Sequence, residues 1–120
     1  MSKLVDIIDS LQSQRCVICR KRLQRGENGL CAKCVAGLPL NDPELWDGPQ
    51  FVDAACAPLV FSGTARDALT RYKFSGATGC AGVFGKLVAE CISRNLAGKY
   101  DLISWVPLSA QRRSERGYDQ

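Results

Sequence analysis

Residues 16–34 read CVICRKRLQRGENGLCAKC. The stretch begins and ends with a Cys-x-x-Cys pair, and eleven residues separate the two pairs. Such a turn directs two thiolates at one ion, and two turns together complete a closed tetrahedral site. The sequence therefore predicts a small four-cysteine zinc ribbon with a structural zinc ion. The four predicted ligands are Cys16, Cys19, Cys31 and Cys34.

The spacer between the two pairs has the composition of a turn. Gly26, Asn28 and Gly29 favour the tight reversal that would bring one pair back onto the other. A metal is needed because about 25 residues cannot bury enough apolar surface to fold alone. A redox dithiol or two disulfides are alternatives, and an iron–sulfur cluster can use the same ligands. Two matched pairs around a turn favour zinc.

The remaining composition excludes several kinds of chemistry. The 120 residues contain no histidine, which excludes Cys–His and Ser–His–Asp catalysis and any His-ligated metal within this sequence. Three further cysteines have no recognisable base partner, so we expect them to pack as small apolar side chains: Cys56, Cys80 and Cys91.

No apolar run reaches the roughly 18 residues of a membrane span, and no secretory signal is evident. The sequence predicts a cytoplasmic protein without a membrane span.

Apolar periodicity divides the chain into three parts. We predict an N-terminal helix and the four-cysteine zinc ribbon over residues 1–38, a linker over 39–52, and an α/β unit over 53–120. The linker has acidic residues and no base, although the net charge of the chain is +4. The ribbon is basic by contrast, with several Arg and Lys side chains around its cysteines.

Within the α/β unit we predict two strands and two helices. The strands are residues 54–61, where Pro58 favours an edge, and the nearly all-apolar run 101–106, which is typical of a strand buried on both faces. Thr64 and Asp67 resemble a capping box at the start of a short helix, and residues 80–97 predict a longer one. The apolar face of the short helix comprises Ala65, Ala68, Leu69 and Tyr72. The face of the longer helix comprises Phe84, Leu87, Val88, Cys91 and Ile92.

A basic segment follows the second strand. Residues 107–120 read PLSAQRRSERGYDQ and predict a loop that opens a helix. In α/β sheets, ligands bind outside the carboxyl ends of strands, and the guanidinium fork suits phosphate or pyrophosphate. A solvated basic loop is the alternative, and composition alone favours it.

Three segments together resemble the ComF family of competence-associated, phosphoribosyltransferase-like proteins. They are the paired CVIC and CAKC motifs, LTRYKFSG at residues 69–76, and DLISWVPLSAQRRSERGYDQ at residues 101–120. The resemblance implies a zinc ribbon followed by a type I phosphoribosyltransferase-like domain, in which the loop after the first core strand binds pyrophosphate. The residues that it marks as anion contacts are Arg112, Arg113, Arg116 and, in the KF motif, Lys73.

The resemblance also implies a functional setting. Mg²⁺ and phosphoribosyl pyrophosphate would be the cofactor and substrate, and the family is tied to DNA uptake, with a helicase-type competence protein or single-stranded DNA as partners. The strand with two acids and the Thr-rich loop that grip the ribose phosphate in that fold are absent from this sequence. We therefore expect an incomplete phosphoribosyltransferase-like α/β domain, inactive alone, that corresponds to the first part of a ComF-type protein. It would be the product of a truncated gene, a fragment, or a split protein whose fold a C-terminal partner chain would complete.

The alternative function is non-enzymatic. A zinc-ribbon module can bind nucleic acid or a protein partner through basic side chains around the ribbon: Arg20, Lys21, Arg22 and Arg25. The ribbon contains few aromatic residues for base stacking, which disfavours this alternative.

Overall fold

The computed structural model describes residues 15–41 and 50–120. The helix predicted near the N-terminus and most of the predicted linker lie outside the described residues. Four helices occur in the described ranges: α1 (Ala32–Ala36), α2 (Gly63–Phe74), α3 (Cys80–Asn95) and α4 (Ala110–Arg116). None of these helices is both long and apolar enough to cross a membrane.

Helix α2 forms where the short helix was predicted. Its buried residues are Ala65, Ala68 and Tyr72, whose spacing of three and four places them on one face. The helix begins two residues earlier than predicted, with Ser62 rather than Thr64 as its N-cap and no side-chain cap. The predicted capping box is therefore wrong, because Thr64 already lies inside the first turn.

Helix α3 confirms the longer predicted helix. Cys80 and Phe84 are buried, and the predicted apolar face otherwise lies half-buried, apart from Val88 with 44% of its surface exposed. The helix ends at Asn95, and Gly98 adopts a left-handed φ of 71° two residues after the C-cap. Glycine adopts this conformation without a steric penalty, so its place after the helix follows from its lack of a side chain.

No strand ladder occurs in the described ranges, only isolated bridges. The segment predicted as a first strand pairs once, between Leu40 and Leu59, with flanking backbone hydrogen bonds from Asn41 N–H to Pro58 O (3.1 Å) and from Val60 N–H to Pro39 O (2.8 Å). Proline lacks an N–H donor, which limits how far this pairing can extend. The α/β sheet remains a prediction.

The apolar run 101–106 is exposed rather than buried. Its backbone is irregular, and Leu102 and Val106 expose 83% and 90% of their surface. Burial on both faces, which the composition predicted, requires neighbouring strands. No described segment pairs with this run, so its side chains face solvent.

One apolar cluster joins the cysteine module to the two longer helices. Cys16 and Ile18 of the module pack with side chains from both helices, and the contributions of α2 and α3 are Ala68, Tyr72, Cys80 and Phe84. Gly29 is part of this junction, because a Cβ atom there would lie 2.6 Å from Val83 Cγ2 and its φ is +70°. The module is thereby held against α2 and α3 at a close backbone approach.

Candidate metal centre and basic cavity

The four predicted ligands lie together. The sulfur atoms of Cys16, Cys19, Cys31 and Cys34 are all within 4.8 Å of one another. Cys16 is buried, Cys31 and Cys34 are half-buried, and Cys19 is exposed. The structure therefore confirms the predicted grouping of four cysteines into one possible metal site.

The distance between the sulfur atoms of Cys19 and Cys31 fits zinc. Cys19 Sγ lies 3.7 Å from Cys31 Sγ. Four sulfurs at about 2.3 Å from a central Zn²⁺ in a tetrahedron would be about 3.8 Å apart along each edge. All four ligands are cysteines, so the centre has no open position and suits a structural rather than a catalytic ion.

Backbone geometry brings the two pairs together. Cys16 N–H donates to Lys21 O (2.8 Å) and Arg20 N–H to Cys16 O (2.8 Å), which closes the first turn. Val17 N–H donates to Gly29 O (2.9 Å) and thereby ties this turn to the strand-like segment before the second pair. Arg20 has a φ of 65°, which is unusual for a residue with a side chain and reflects the sharpness of the turn.

The protein environment favours a thiolate at Cys16. Burial opposes its ionisation, but hydrogen bonds from the backbone N–H groups of Cys31, Cys19 and Ile18 and from the Cys34 thiol outweigh burial and lower the pKa of Cys16 to about 6. At Cys34 the surroundings raise the pKa of the thiol. Burial comes first, and hydrogen bonding among the four thiols and the charge of Cys16 add to it, so the pKa of Cys34 is raised to about 12.

These opposite pKa shifts show that ionisation of Cys16 disfavours ionisation of Cys34. One thiolate is stabilised by backbone donors, and further deprotonation beside it is unfavourable without a cation. A divalent metal removes that penalty because it neutralises the accumulated charge.

Glu27 is a structural part of this module that the sequence did not indicate. Its carboxylate accepts hydrogen bonds from Gln24 N–H (2.6 Å) and from Ala32 N–H (2.7 Å) at the start of α1. These two hydrogen bonds, the Gln24 contact being the larger influence, lower the pKa of Glu27. The side chain thus links the turn between the cysteine pairs to the helix that carries Cys34.

A second feature is a cavity of about 500 Å³ between the end of α2 and helix α4. Three of the four predicted anion contacts line it, namely Lys73, Arg112 and Arg116. The other lining residues are Phe74, Gly76, Glu115 and Tyr118. Residues about 40 positions apart in the sequence therefore meet at one basic cavity.

Arg116 is the most constrained cation of this cavity. Its guanidinium carbon lies 5.0 Å from the centre of the Phe74 ring, within the range of a cation–π interaction. Its Nη1 atom is buried and has no hydrogen-bond partner among the described residues. A buried donor without a partner is costly.

Two charged residues of α4, Arg113 and Glu115, form contacts with other polar side chains. Arg113 does not line the cavity, and its Nη2 atom forms an ion pair with Asp119 Oδ2 at 3.2 Å. Glu115 does line it, but Gln111 Nε2 donates to Glu115 Oε1 at 2.9 Å. Helix α4 begins with a side-chain cap, in which Ser109 Oγ accepts from Arg112 N–H at 3.3 Å.

Comparisons with known proteins add no relative. A comparison with protein-family models finds no match. Comparisons with curated proteins and with solved structures give no match either.

Proposed function

We propose that the chain is a zinc-stabilised, phosphoribosyltransferase-like module of the ComF type that binds a pyrophosphate group in the basic cavity. The observation that carries the proposal is the convergence of Lys73, Arg112 and Arg116 on one cavity. Arginine forks bind phosphate oxygens in pairs, and lysine adds a point charge. The link to DNA uptake and to a helicase-type partner comes from the family resemblance alone.

The chemical role of the cavity would be to hold and neutralise pyrophosphate, the group displaced from the anomeric carbon in phosphoribosyl transfer. Three cations around a small polyanion provide that neutralisation. Mg²⁺ does not fit the lining residues as a protein-held ion, because Glu115 is the one carboxylate among them and too few ligands remain. The proposal therefore depends on the cationic side chains.

Replacement Arg116→Ala is expected to weaken pyrophosphate binding about tenfold or more, because it removes a charge-assisted donor worth about 1.5–3 kcal/mol. Isothermal titration calorimetry of the zinc-loaded chain with pyrophosphate measures this change. Arg66→Ala is the matched control, since Arg66 is an exposed arginine on α2 outside the cavity.

Two outcomes would contradict the pyrophosphate site. One is a wild-type chain that shows no measurable heat of binding with pyrophosphate. The other is a loss of affinity in Arg66→Ala as large as in Arg116→Ala, which would mean a diffuse response to net charge. Inorganic sulfate at the same ionic strength tests whether the cavity prefers a diphosphate to any oxyanion.

The exposed basic side chains of the module support a second candidate, binding of single-stranded nucleic acid. Arg20 and Lys21 are exposed, and Arg15, Arg20 and Arg71 line a separate cavity of about 280 Å³ beside the first cysteine pair. If four phosphates are contacted, log K should fall with log salt with a slope of about −3. Simultaneous replacement of Arg20, Lys21, Arg22 and Arg25 by alanine should abolish that slope in a fluorescence-anisotropy titration. Unaltered DNA binding in the fourfold variant would contradict this candidate.

A further inference from the structure

Arg71 reaches from helix α2 to the turn of the first cysteine pair. Its Nη2 atom donates to Val17 O at 3.1 Å and to Ile18 O at 2.7 Å. Val17 and Ile18 are the two residues between Cys16 and Cys19. The side chain is half-buried, so solvent competes little for these hydrogen bonds.

Arg71 binds two carbonyl oxygens. The N–H groups at the opposite ends of the same two peptide groups point toward Cys16. In a trans peptide the C=O of one residue and the N–H of the next point in opposite directions. The C=O of Val17 shares its peptide group with Ile18 N–H, and the C=O of Ile18 shares its peptide group with Cys19 N–H. Both of these N–H groups donate to the Cys16 sulfur.

One guanidinium therefore fixes the orientation of two peptide groups whose opposite ends hold the Cys16 sulfur. The positive charge at the carbonyl ends also polarises both groups in the direction that strengthens their N–H donation. Groups outside the ligand set that orient metal ligands in this way commonly change metal affinity by about 10- to 100-fold when they are removed.

We propose that Arg71 is a positioning residue of the zinc centre, which orients the Cys16–Cys19 turn from outside the ligand set and retards zinc release. The inference rests on zinc binding as proposed above, and it does not depend on the pyrophosphate site. Arg71 and Lys73 both lie on α2, so this helix would support the metal centre as well as line the basic cavity.

The test compares zinc release among variants of position 71. Arg71→Met removes the charge and both hydrogen bonds while it keeps an unbranched apolar stem, and Arg71→Lys keeps the charge but not the planar guanidinium. Transfer of zinc from the loaded chain to a chromophoric chelator gives the release rate. We expect release about 10- to 100-fold faster in Arg71→Met, with Arg71→Lys between it and wild type. Arg66→Met is the control for the loss of an arginine from the same helix.

A second readout separates positioning from general destabilisation. The Co²⁺-substituted chain reports ligand geometry through its thiolate–Co²⁺ absorption, and amide hydrogen exchange reports the Ile18 and Cys19 N–H groups directly. Leu69→Ala removes apolar packing from α2 next to the cluster and serves as the comparator for lost stability. We expect altered Co²⁺ absorption and faster exchange of these two amides in the variants of Arg71 but not in Leu69→Ala.

Three results would overturn the inference. Release from Arg71→Met within twofold of Arg66→Met, in a wild type that binds zinc, would overturn the inference and leave zinc binding intact. If Arg71→Met does not fold, release from Arg71→Lys at the wild-type rate would overturn it equally. A wild type that binds no zinc would overturn both the zinc site and the role of Arg71.

Discussion

Replacement Cys31→Ser is expected to reduce bound zinc from about one ion per chain to nearly none and to unfold the module around residues 16–38. Serine supplies a hydroxyl that stays protonated near neutral pH, so three thiolates remain for a site built for four. Structural zinc contributes about 10–16 kcal/mol in zinc-finger peptides, which exceeds what so small a module can gain from its own apolar contacts. Zinc is measured by atomic emission, and folding by dispersion of the amide resonances of the module.

The matched control for this prediction is Cys56→Ser. Cys56 is a half-buried cysteine outside the cluster, so the same chemical change there should leave zinc content unaltered. Full zinc retention in Cys31→Ser would contradict the four-cysteine site. Loss of zinc from both variants would indicate a response to the number of thiols rather than to the cluster.

The grouping of the four cysteines was predictable from the sequence because the spacing that produces it is local. Within each Cys-x-x-Cys turn the spacing alone brings two sulfurs together, and the glycines of the spacer bring the turns together. The spacing of Ala65, Ala68 and Tyr72 predicted the buried face of α2 for the same reason, since periodicity is a property of neighbouring residues.

The contacts that hold the site in place were not predictable, because they join distant residues. Arg71 lies 54 and 53 positions from the carbonyl groups that it binds. In the sequence it is one of many arginines, and no spacing separates it from a solvated one. Lys73 was named only through the family resemblance, whereas the structure places it beside Arg112 and Arg116.

The apolar run 101–106 shows what composition alone does not predict. Its composition shows that the segment is suited to burial, but composition does not supply the neighbouring strands that burial requires. Trp105, for example, exposes 73% of its surface. Exposed apolar side chains in a run of this length favour pairing with another strand, which is how the α/β sheet predicted for this unit would form.

A large loss of stability is also expected at Tyr72, an aromatic residue of the apolar cluster that joins the module to α2 and α3. Its side chain is 9% exposed, and its ring stacks on Tyr118 with ring centres 5.6 Å apart. Tyr118 in turn donates its hydroxyl proton to the carbonyl oxygen of Tyr72. Replacement Tyr72→Ala is expected to lower the free energy of unfolding of the zinc-loaded chain by about 3–5 kcal/mol, because it leaves a cavity and removes the stacking partner. Urea denaturation followed by far-UV circular dichroism measures this loss.

Tyr72→Phe separates the ring from its hydroxyl. Phenylalanine keeps the ring and its contact with Tyr118 but loses the hydrogen bond from Tyr72 Oη to Gln120 O (3.2 Å), which is worth about 1 kcal/mol. Tyr118 also lines the basic cavity, so Tyr72→Ala should weaken pyrophosphate binding while Tyr72→Phe leaves it nearly unchanged. If the alanine variant were no less stable than the phenylalanine variant, the ring would not pack in the core. The basic cavity would then lack the aromatic support that joins α2 to the C-terminal residues.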